Sequence, residues 1–338
     1  NQVKTFTVGF SEFHNYDESK HARLIAEHFG TEHTELDIGS ISPDLLPLLA
    51  NQYDEPMMDS SMIPTYLISQ LIRQHCTVAL GGDGGDELFA GYTHYNRLLW
   101  MQENFEKMPQ KLKSATANIF GKIMPVGLKG RNWLQALSCD LNSDLPLISS
   151  FFDRKTRQEL MNSGMDSTWQ LVAENIRASR IPLSNDLLQR ATRMDFENYM
   201  VEDILVKVDR ASMLNSLEIR APLLDYRIIE FAFGRVPSYL KATKSKRKIL
   251  LKQLAAKLLP PEFDQHRKQG FSIPLAYWLK SGPWRDYIQE ILYDEQCLFN
   301  RKTIMKLMRE QDRGMNNQER LFGLAMFELW RRNYQISL

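Results

Sequence analysis

Apolar and polar positions change period several times within the first hundred residues. Thr5-Phe6-Thr7-Val8-Gly9-Phe10 is a short run that predicts a buried strand. From Asp17 to Phe29, Leu24, Ile25 and Phe29 recur at helical spacing, with Asp17 placed to cap the helix and Gly30 to end it. His33 to Ile38 alternates in character and predicts a second strand. Helices are predicted over Asp44–Gln52 and Ile63–Gln74, and a third strand over Thr77-Val78-Ala79-Leu80. The order β-α-β-α-α-β predicts an α/β fold, a parallel sheet with flanking helices. Ligands of such sheets gather outside the carboxyl ends of the strands. Val8-Gly9-Phe10 and the segment after Leu80 are therefore expected to line one cleft.

After about Asn104 the strand signals fade and helical periodicity takes over. Its strongest stretch runs from about Asn185 to Leu217, with later helices predicted near Lys246–Leu258, Trp284–Leu292, Arg301–Gln311 and Asn317–Arg332. The chain thus reads as an α/β part over residues 1–103 followed by a largely helical part over 104–338. No internal repeat or long linker divides them, and the pattern leaves open whether the helical part is a separate lobe or wraps the sheet.

Composition narrows the classes. A formal charge of +1 over 338 residues gives no field that would draw nucleic acid or an anionic membrane. No apolar run approaches the roughly 20 residues of a spanning helix, and the N-terminus carries no signal-peptide pattern. Cys76, Cys139 and Cys297 stand far apart, against disulfide staples or a zinc site. The expectation is a cytoplasmic protein. The seven histidines show no metal-ligand spacing, and neither a G-x-S-x-G elbow nor a Walker A loop occurs.

Three segments carry candidate chemistry. Leu80 to Tyr92 reads L-G-G-D-G-G-D-E-L-F-A-G-Y, with four glycines and two aspartates between Gly81 and Asp86. Glycine lets a backbone approach a ligand closely. A loop that only cradled phosphate would avoid carboxylates, whereas carboxylates suit a loop where Mg²⁺ stands between them and the phosphates. The plainer alternative is a Gly/Asp surface turn. Between Glu202 and Asp225 charges of both signs interleave with aliphatic residues, and Lys207 stands i,i+4 from Asp203. This predicts partly buried ion pairs, either fixing helix geometry or touching substrate. His266 to Pro274 reads as an ordered basic loop in which Lys268 could meet phosphate as a mobile point charge, a solvated loop being the alternative. Lys244-Ser245-Lys246-Arg247-Lys248 is expected to be an exposed first helical turn.

In this order, these pieces resemble the synthetase domain of glutamine-dependent asparagine synthetases. The resemblance rests on T-F-T-V-G-F, D-E-P-M-M-D-S-S-M-I-P-T (Asp54–Thr65), G-G-D-G-G-D-E-L-F-A-G-Y, V-D-R-A-S-M-L-N-S-L-E-I-R-A-P-L-L-D (Val208–Asp225) and R-K-Q-G-F-S-I-P (Arg267–Pro274), and covers most of the chain. It implies an adenine nucleotide alpha hydrolase-like fold of the PP-loop ATP pyrophosphatase type, with residues 1–338 forming one synthetase domain. It implies a ligase that activates a carboxylate, L-aspartate in the name-giving members, as an acyl-adenylate, and then transfers glutamine-derived ammonia to give the amide. ATP and Mg²⁺ are the implied cofactors. The implied partners are the carboxylate, ammonia and an N-terminal glutaminase domain of the parent protein, and a homodimer is an assembly it allows.

Carried over by position, the resemblance implies that Val8 meets adenine through its backbone and that Gly81 and Gly82 pass close to the nucleotide. Asp86 would help hold Mg²⁺, and Lys268 would stabilise charge on the α-phosphate. Asp83 occupies a position where glutamate is usual and would assist the adenylate and ammonia steps. Asp209, Arg210, Glu218 and Arg220 would lie near the acyl substrate or the ammonia tunnel. Three departures qualify this. The pyrophosphate-binding S-G-G-x-D-S loop, expected upstream of Thr5, is absent, as is the glutaminase domain, so the chain alone is expected to be inactive. Asp83 is one methylene shorter than glutamate, as in relatives that amidate other carboxylates, including sugar acids of polysaccharide pathways. His266 stands where arginine is common. A non-catalytic scaffold is the reading from a different class.

Overall fold

The structure, a computed structural model, describes residues 2–9, 18–37, 39, 41–148, 150–161, 172–265 and 273–336. Strand β1 (Lys4–Gly9), helix α1 (Ser19–Phe29), strand β2 (Glu32–Asp37), helices α2 (Leu45–Gln52) and α3 (Met62–Arg73) and strand β3 (Val78–Leu80) follow in the order the periodicity predicts. Gly30 ends α1 in the left-handed region (φ 60°), its N–H donating back into the last turn. Phe10, Asp17 and Ile38, included in those sequence expectations, lie outside the described residues.

Helices α4 (Gly85–Phe89), α5 (Thr93–Phe105), α6 (Gln110–Ile123), α7 (Arg131–Ala136), α8 (Arg154–Leu160), α9 (Val172–Ser179) and α10 (Leu187–Met194) come next. A ten-residue π-helix, Asp195–Ile204, then runs into α11 (Leu205–Met213). Strand β4 (Glu218–Arg220) and a 3₁₀ turn at Pro222–Leu224 lead to α12 (Tyr226–Gly234), α13 (Ser238–Lys241) and α14 (Ile249–Leu258). Helices α15 (Leu275–Trp278), α16 (Pro283–Tyr293), α17 (Arg301–Asp312) and α18 (Gln318–Asn333) complete the described chain.

The predicted parallel sheet is corrected in extent. Strands β1 and β2 pair in parallel from Lys4↔Glu32 to Gly9↔Asp37, while β3 pairs in parallel with β4 at Val78↔Glu218, Ala79↔Ile219 and Leu80↔Arg220. The described residues therefore hold two separate two-stranded parallel pairs in a mostly helical protein. The physical reason is that β3 offers only three residues of ladder and spends them on a strand from the helical half. That partner reads charge–apolar–charge, too short to declare a period. Phe6 and His75, with ring centroids 5.3 Å apart, bring β1 beside the turn that enters β3.

The largest core cluster draws on both halves of the chain. Leu46, Leu49, Met62 and Ile63 from α2 and α3 pack with Leu275, Ile288, Ile304, Leu321, Phe322 and Met326 from α15 to α18. Each such side chain contributes roughly 1.5–3 kcal/mol by leaving water. On α18, a Cβ added at Gly323 would lie 3.3 Å from Cβ of Met58, so the α2–α3 loop lies directly on that helix. Glu328 of the same helix is fully buried, accepting from Leu298 N at 3.0 Å and from Arg331 Nη2 at 2.8 Å.

Candidate functional site

Strand β3 delivers the glycine–aspartate loop against β4. Gly81 N–H donates to the Arg220 carbonyl at 2.8 Å, and Glu218 N–H to the Thr77 carbonyl at 3.0 Å, so the ladder continues into the loop. A Cβ on Gly81 would lie 3.1 Å from Asp83 Oδ2 and 3.3 Å from Ile219 Cγ2, so the Asp83 carboxylate folds back over the Gly81 backbone. A Cβ on Gly82 would meet nothing within 4 Å, which leaves that backbone open to a ligand. Gly84 adopts φ +92°, a conformation that L side chains rarely take, and turns the chain into α4.

Short as it is, α4 is fastened on every side. Leu88 and Phe89 enter a core cluster with Ala232. Glu87, buried, accepts from the Tyr92 hydroxyl, and Gly91 N–H donates to the Asp86 carbonyl at 2.8 Å. Burial raises the Glu87 carboxyl, an effect that Tyr92 partly offsets. Asp86 in the first turn has its Oδ1 3.1 Å from Lys248 Nζ. Lys248 itself caps α14 in the left-handed conformation, φ 50°. Lys244, Ser245 and Lys246 are exposed as expected, but the run precedes α14 instead of forming its first turn, and Lys248 is only half-exposed. The last lysine of the run reaches inward because a carboxylate waits there.

The D-E-P-M-M-D-S-S motif forms the loop between α2 and α3 and is laced onto α11. Tyr53 donates to the Lys207 carbonyl at 3.2 Å, Gln52 to the Arg210 carbonyl at 3.3 Å, and Arg210 Nη2 pairs with Asp54 at 2.6 Å. Lys207, only 8% exposed, places its ammonium 2.8 Å from Asp59 Oδ2, whose Oδ1 accepts from Ser61 N–H at 2.9 Å. Burial alone would raise Asp59. The Lys207 charge and these hydrogen bonds outweigh it and hold the carboxyl below its usual range. Burial also raises Asp83, and the Lys207 charge opposes that rise. Asp203 is pushed up to about 7 by burial and by the Asp59 charge, against the pull of Lys207.

The π-helix supplies the third wall. Its first residue, Asp195, accepts from the Tyr95 hydroxyl at 2.6 Å and pairs with His94 Nε2 at 2.7 Å. The ring of Tyr199 stands edge-on to Tyr92, centroids 5.9 Å apart. Burial and the charges of Asp59, Asp203 and Glu87 raise the Tyr199 hydroxyl, so it stays a neutral donor. π-helical segments are rare and frequent at functional sites.

The sequence-predicted residues fall as follows. Gly81, Gly82, Asp83 and Asp86 share the loop, with Glu218 and Arg220 alongside on β4, where those two pair with each other at 2.7 Å. Asp209 and Arg210 pair at 3.0 Å on α11, and Arg210 also reaches Asp54. Val8 is buried on β1 opposite Leu36, in the other strand pair, and among the described residues no ladder joins it to the loop. Lys268 and His266 lie outside the described residues. Sequence reasoning missed Asp59, Lys248 and Tyr199. Asp59 sat inside a quoted motif, but Lys248 carried no local signal.

Chemically the loop presents an open glycine backbone and two carboxylates. Among the described residues no three side chains converge as a self-sufficient metal cage. Mg²⁺ on a nucleotide takes most of its oxygens from phosphate and water and needs one or two carboxylates. Asp83 and Asp86 fit that requirement.

A family model described as asparagine synthase matches residues 1–332. The chain is 28% identical to asparagine synthetase [glutamine-hydrolyzing] 1 of Bacillus subtilis, over 97% of the chain and 52% of that protein. It is 28% identical to a putative asparagine synthetase of Mycobacterium tuberculosis, over 96% of the chain and 50% of that protein. A putative asparagine synthetase of Methanocaldococcus jannaschii is 31% identical over 63% of the chain and 40% of its own length. The chain thus spans about half the length of the first two relatives. No helix among the described residues is long and apolar enough to cross a membrane.

Proposed function

The chain belongs to the asparagine synthase family, and on that basis we propose that it carries the synthetase half of an ATP-dependent amidoligase. A carboxylate substrate, L-aspartate in this reading, attacks the α-phosphate of ATP, forming an acyl-adenylate and releasing pyrophosphate. Ammonia then forms the C–N bond, AMP leaves with the electrons of the broken C–O bond, and the product is the amide. Activation is needed because a free carboxylate is a very poor acyl donor.

The observation that carries this reading is the loop itself, with Asp83 folded over Gly81, open approach at Gly82 and Asp86 held at a lysine. In it the Gly81 and Gly82 backbone lies along the nucleotide, and Val8 meets adenine. Asp86 would hold Mg²⁺, which bound there would neutralise phosphate charge, and Asp83 assists the adenylate and ammonia steps. Lys268, by its place in the sequence, steadies the charge that develops on the α-phosphate. Asp209, Arg210, Glu218 and Arg220 border the acyl substrate or the path of ammonia. Residues 1–338 act as one synthetase unit, and a glutaminase domain elsewhere in the parent protein supplies ammonia from glutamine.

A second reading keeps the chemistry and changes the acid. Asp83 is shorter than the usual glutamate, which favours a differently sized carboxylate such as a sugar acid. ATP–pyrophosphate exchange on the full-length protein carrying this chain tests both. Exchange stimulated by L-aspartate is the expected result. Exchange with another acid but not aspartate replaces the substrate, and no exchange with any carboxylate rejects the enzyme in favour of a scaffold.

A further inference from the structure

Helix α6 is built inside out. Leu112, Thr116, Ile119 and Ile123 recur at i, i+4, i+7 and i+11, and so lie within about 60° of one another around the helix. In a helix packed on a core that stripe would face inward. Here Leu112 is 53% exposed, Ile119 55% and Ile123 75%, with Phe120 exposed beside them. The side turned to the protein carries small and polar residues. Ala117 is buried there, and a Cβ added at Gly121 would lie 2.9 Å from Gln135 Nε2. Hydrogen bonds fasten that side. Arg131 donates to the Gly121 and Met124 carbonyls, each at 2.9 Å, and Gln110 Nε2 donates to the Ser138 carbonyl at 2.6 Å. The helix is thus held to α7 through its polar side, and its apolar side is left outward.

Charge of one sign surrounds that stripe. From Lys107 to Cys139 the chain carries Lys107, Lys111, Lys113, Lys122, Lys129 and Arg131, and no aspartate or glutamate. Arg131 is turned inside, onto Asp153. At about 100° per residue, Lys111 and Lys122 border the stripe on one flank and Lys113 on the other. Lys111 and Lys122 are exposed and make no ion pair among the described residues. Beyond the helix, exposed Leu128 and Lys129 repeat the combination. The formal charge of +1 over the whole chain averages this local excess away.

We propose that this face of α6 seats on an anionic phospholipid surface. Leu112, Ile119, Phe120 and Ile123 enter the boundary between headgroups and acyl chains, and the lysines rest on lipid phosphate. An amphipathic helix with cations bordering its apolar face lies in that boundary without crossing it. Lysine suits the border because its stem is apolar while its ammonium reaches back to the headgroups. The outward face is a ridge, and fluid lipid accepts a ridge without a matching groove. A second copy of the chain is the poorer occupant. Two-fold pairing through this face would set lysines against lysines, with no carboxylate between Lys107 and Cys139 to meet them. The inference does not depend on the amidoligase reading.

Co-sedimentation of the full-length protein with phospholipid vesicles tests it. At low salt the protein is expected to pellet with mixed phosphatidylcholine–phosphatidylglycerol vesicles and to stay in solution with phosphatidylcholine alone. Added salt is expected to release it. Ile119→Ser and Ile123→Ser are each expected to weaken binding about tenfold. Lys111→Gln combined with Lys122→Gln is expected to weaken it by about tenfold or more. Because these side chains are exposed, each variant is expected to keep the parental unfolding transition, which denaturant titration checks. No pelleting with the anionic vesicles overturns the proposal, and a dimer that Ile119→Ser breaks would then give the face to a second copy. Equal binding to neutral vesicles overturns it too, as does binding that neither the isoleucine nor the lysine variants weaken.

Discussion

Asp86 meets Lys248 at 3.1 Å across the mouth of the glycine loop, a pairing between the first turn of α4 and the cap of α14. The carboxylate that suits Mg²⁺ is thus already charge-compensated by a lysine on another element. Both side chains are about one-third exposed, so the pair itself is worth roughly 0–1 kcal/mol.

Asp86→Asn in the full-length protein is therefore expected to abolish pyrophosphate exchange, by about 10²-fold or more, while shifting stability by less than about 1 kcal/mol. Exchange assays beside denaturant titration measure the two effects. Near-normal exchange would remove Asp86 from the metal.

Gly91→Ala probes the same pair without touching a charge. A Cβ at Gly91 would stand 2.7 Å from Asp86 Cγ and would overlap its Oδ1 and the Lys248 Cε. The expected cost is about 1–3 kcal/mol of overpacking, together with at least a tenfold loss of exchange, because the carboxylate must move. Exchange at parental rate would mean that its position is not critical.

Lys268→Ala is expected to slow adenylation by about 10²–10³, the usual loss on removing one preorganised charge-stabilising donor. Single-turnover formation of the acyl-adenylate measures this directly. A rate within a few fold of the parent would take Lys268 off the phosphate.

Asp203 also makes a stability prediction. Its folded pKa of about 7 lies above the ordinary carboxyl value of 3.8, so between those pH values the native state holds a proton that the unfolded chain has released. Stability must then fall as pH rises across that window. Asp203→Asn should erase this slope, leaving the variant about as stable as the parent near pH 4 and about 1–3 kcal/mol more stable near pH 8. Equal stability at both ends would show that the native carboxyl titrates normally.

Far from the loop, Glu328→Gln tests the C-terminal core. It removes the buried charge that meets Arg331 at 2.8 Å and Arg332 at 3.4 Å. The expected loss is about 3 kcal/mol, with exchange per folded molecule unchanged. A loss under 1 kcal/mol would mean that the arginines find other partners.

Much of the helical frame was legible because its signals are local. The end of α1 at Gly30, and α14, α16, α17 and α18, follow from caps and apolar spacing. The π-helix was not, because a period slightly above 3.6 cannot be separated from it within ten residues that mix Asp, Glu and Asn. β4 escaped for the opposite reason, being three residues with charges at both ends. In the site, the glycines and the pair Asp83 and Asp86 announced themselves, since no core needs them. The ion pairs did not. Spacing suggested Asp203 for Lys207, but its close contact is Asp59, which no helical rule connects to it. Lys248 looked like one basic surface residue among several until the fold brought α14 to α4.

The wide turns of Asp195–Ile204 also set a rule for how this chain can change length. A residue added or dropped there that the turns do not absorb would swing everything after it by about 100°. Lys207 would then face away from Asp59, and Arg210 from Asp54. Insertions and deletions between Met194 and Leu205 should consequently be far more damaging than point changes at the same positions.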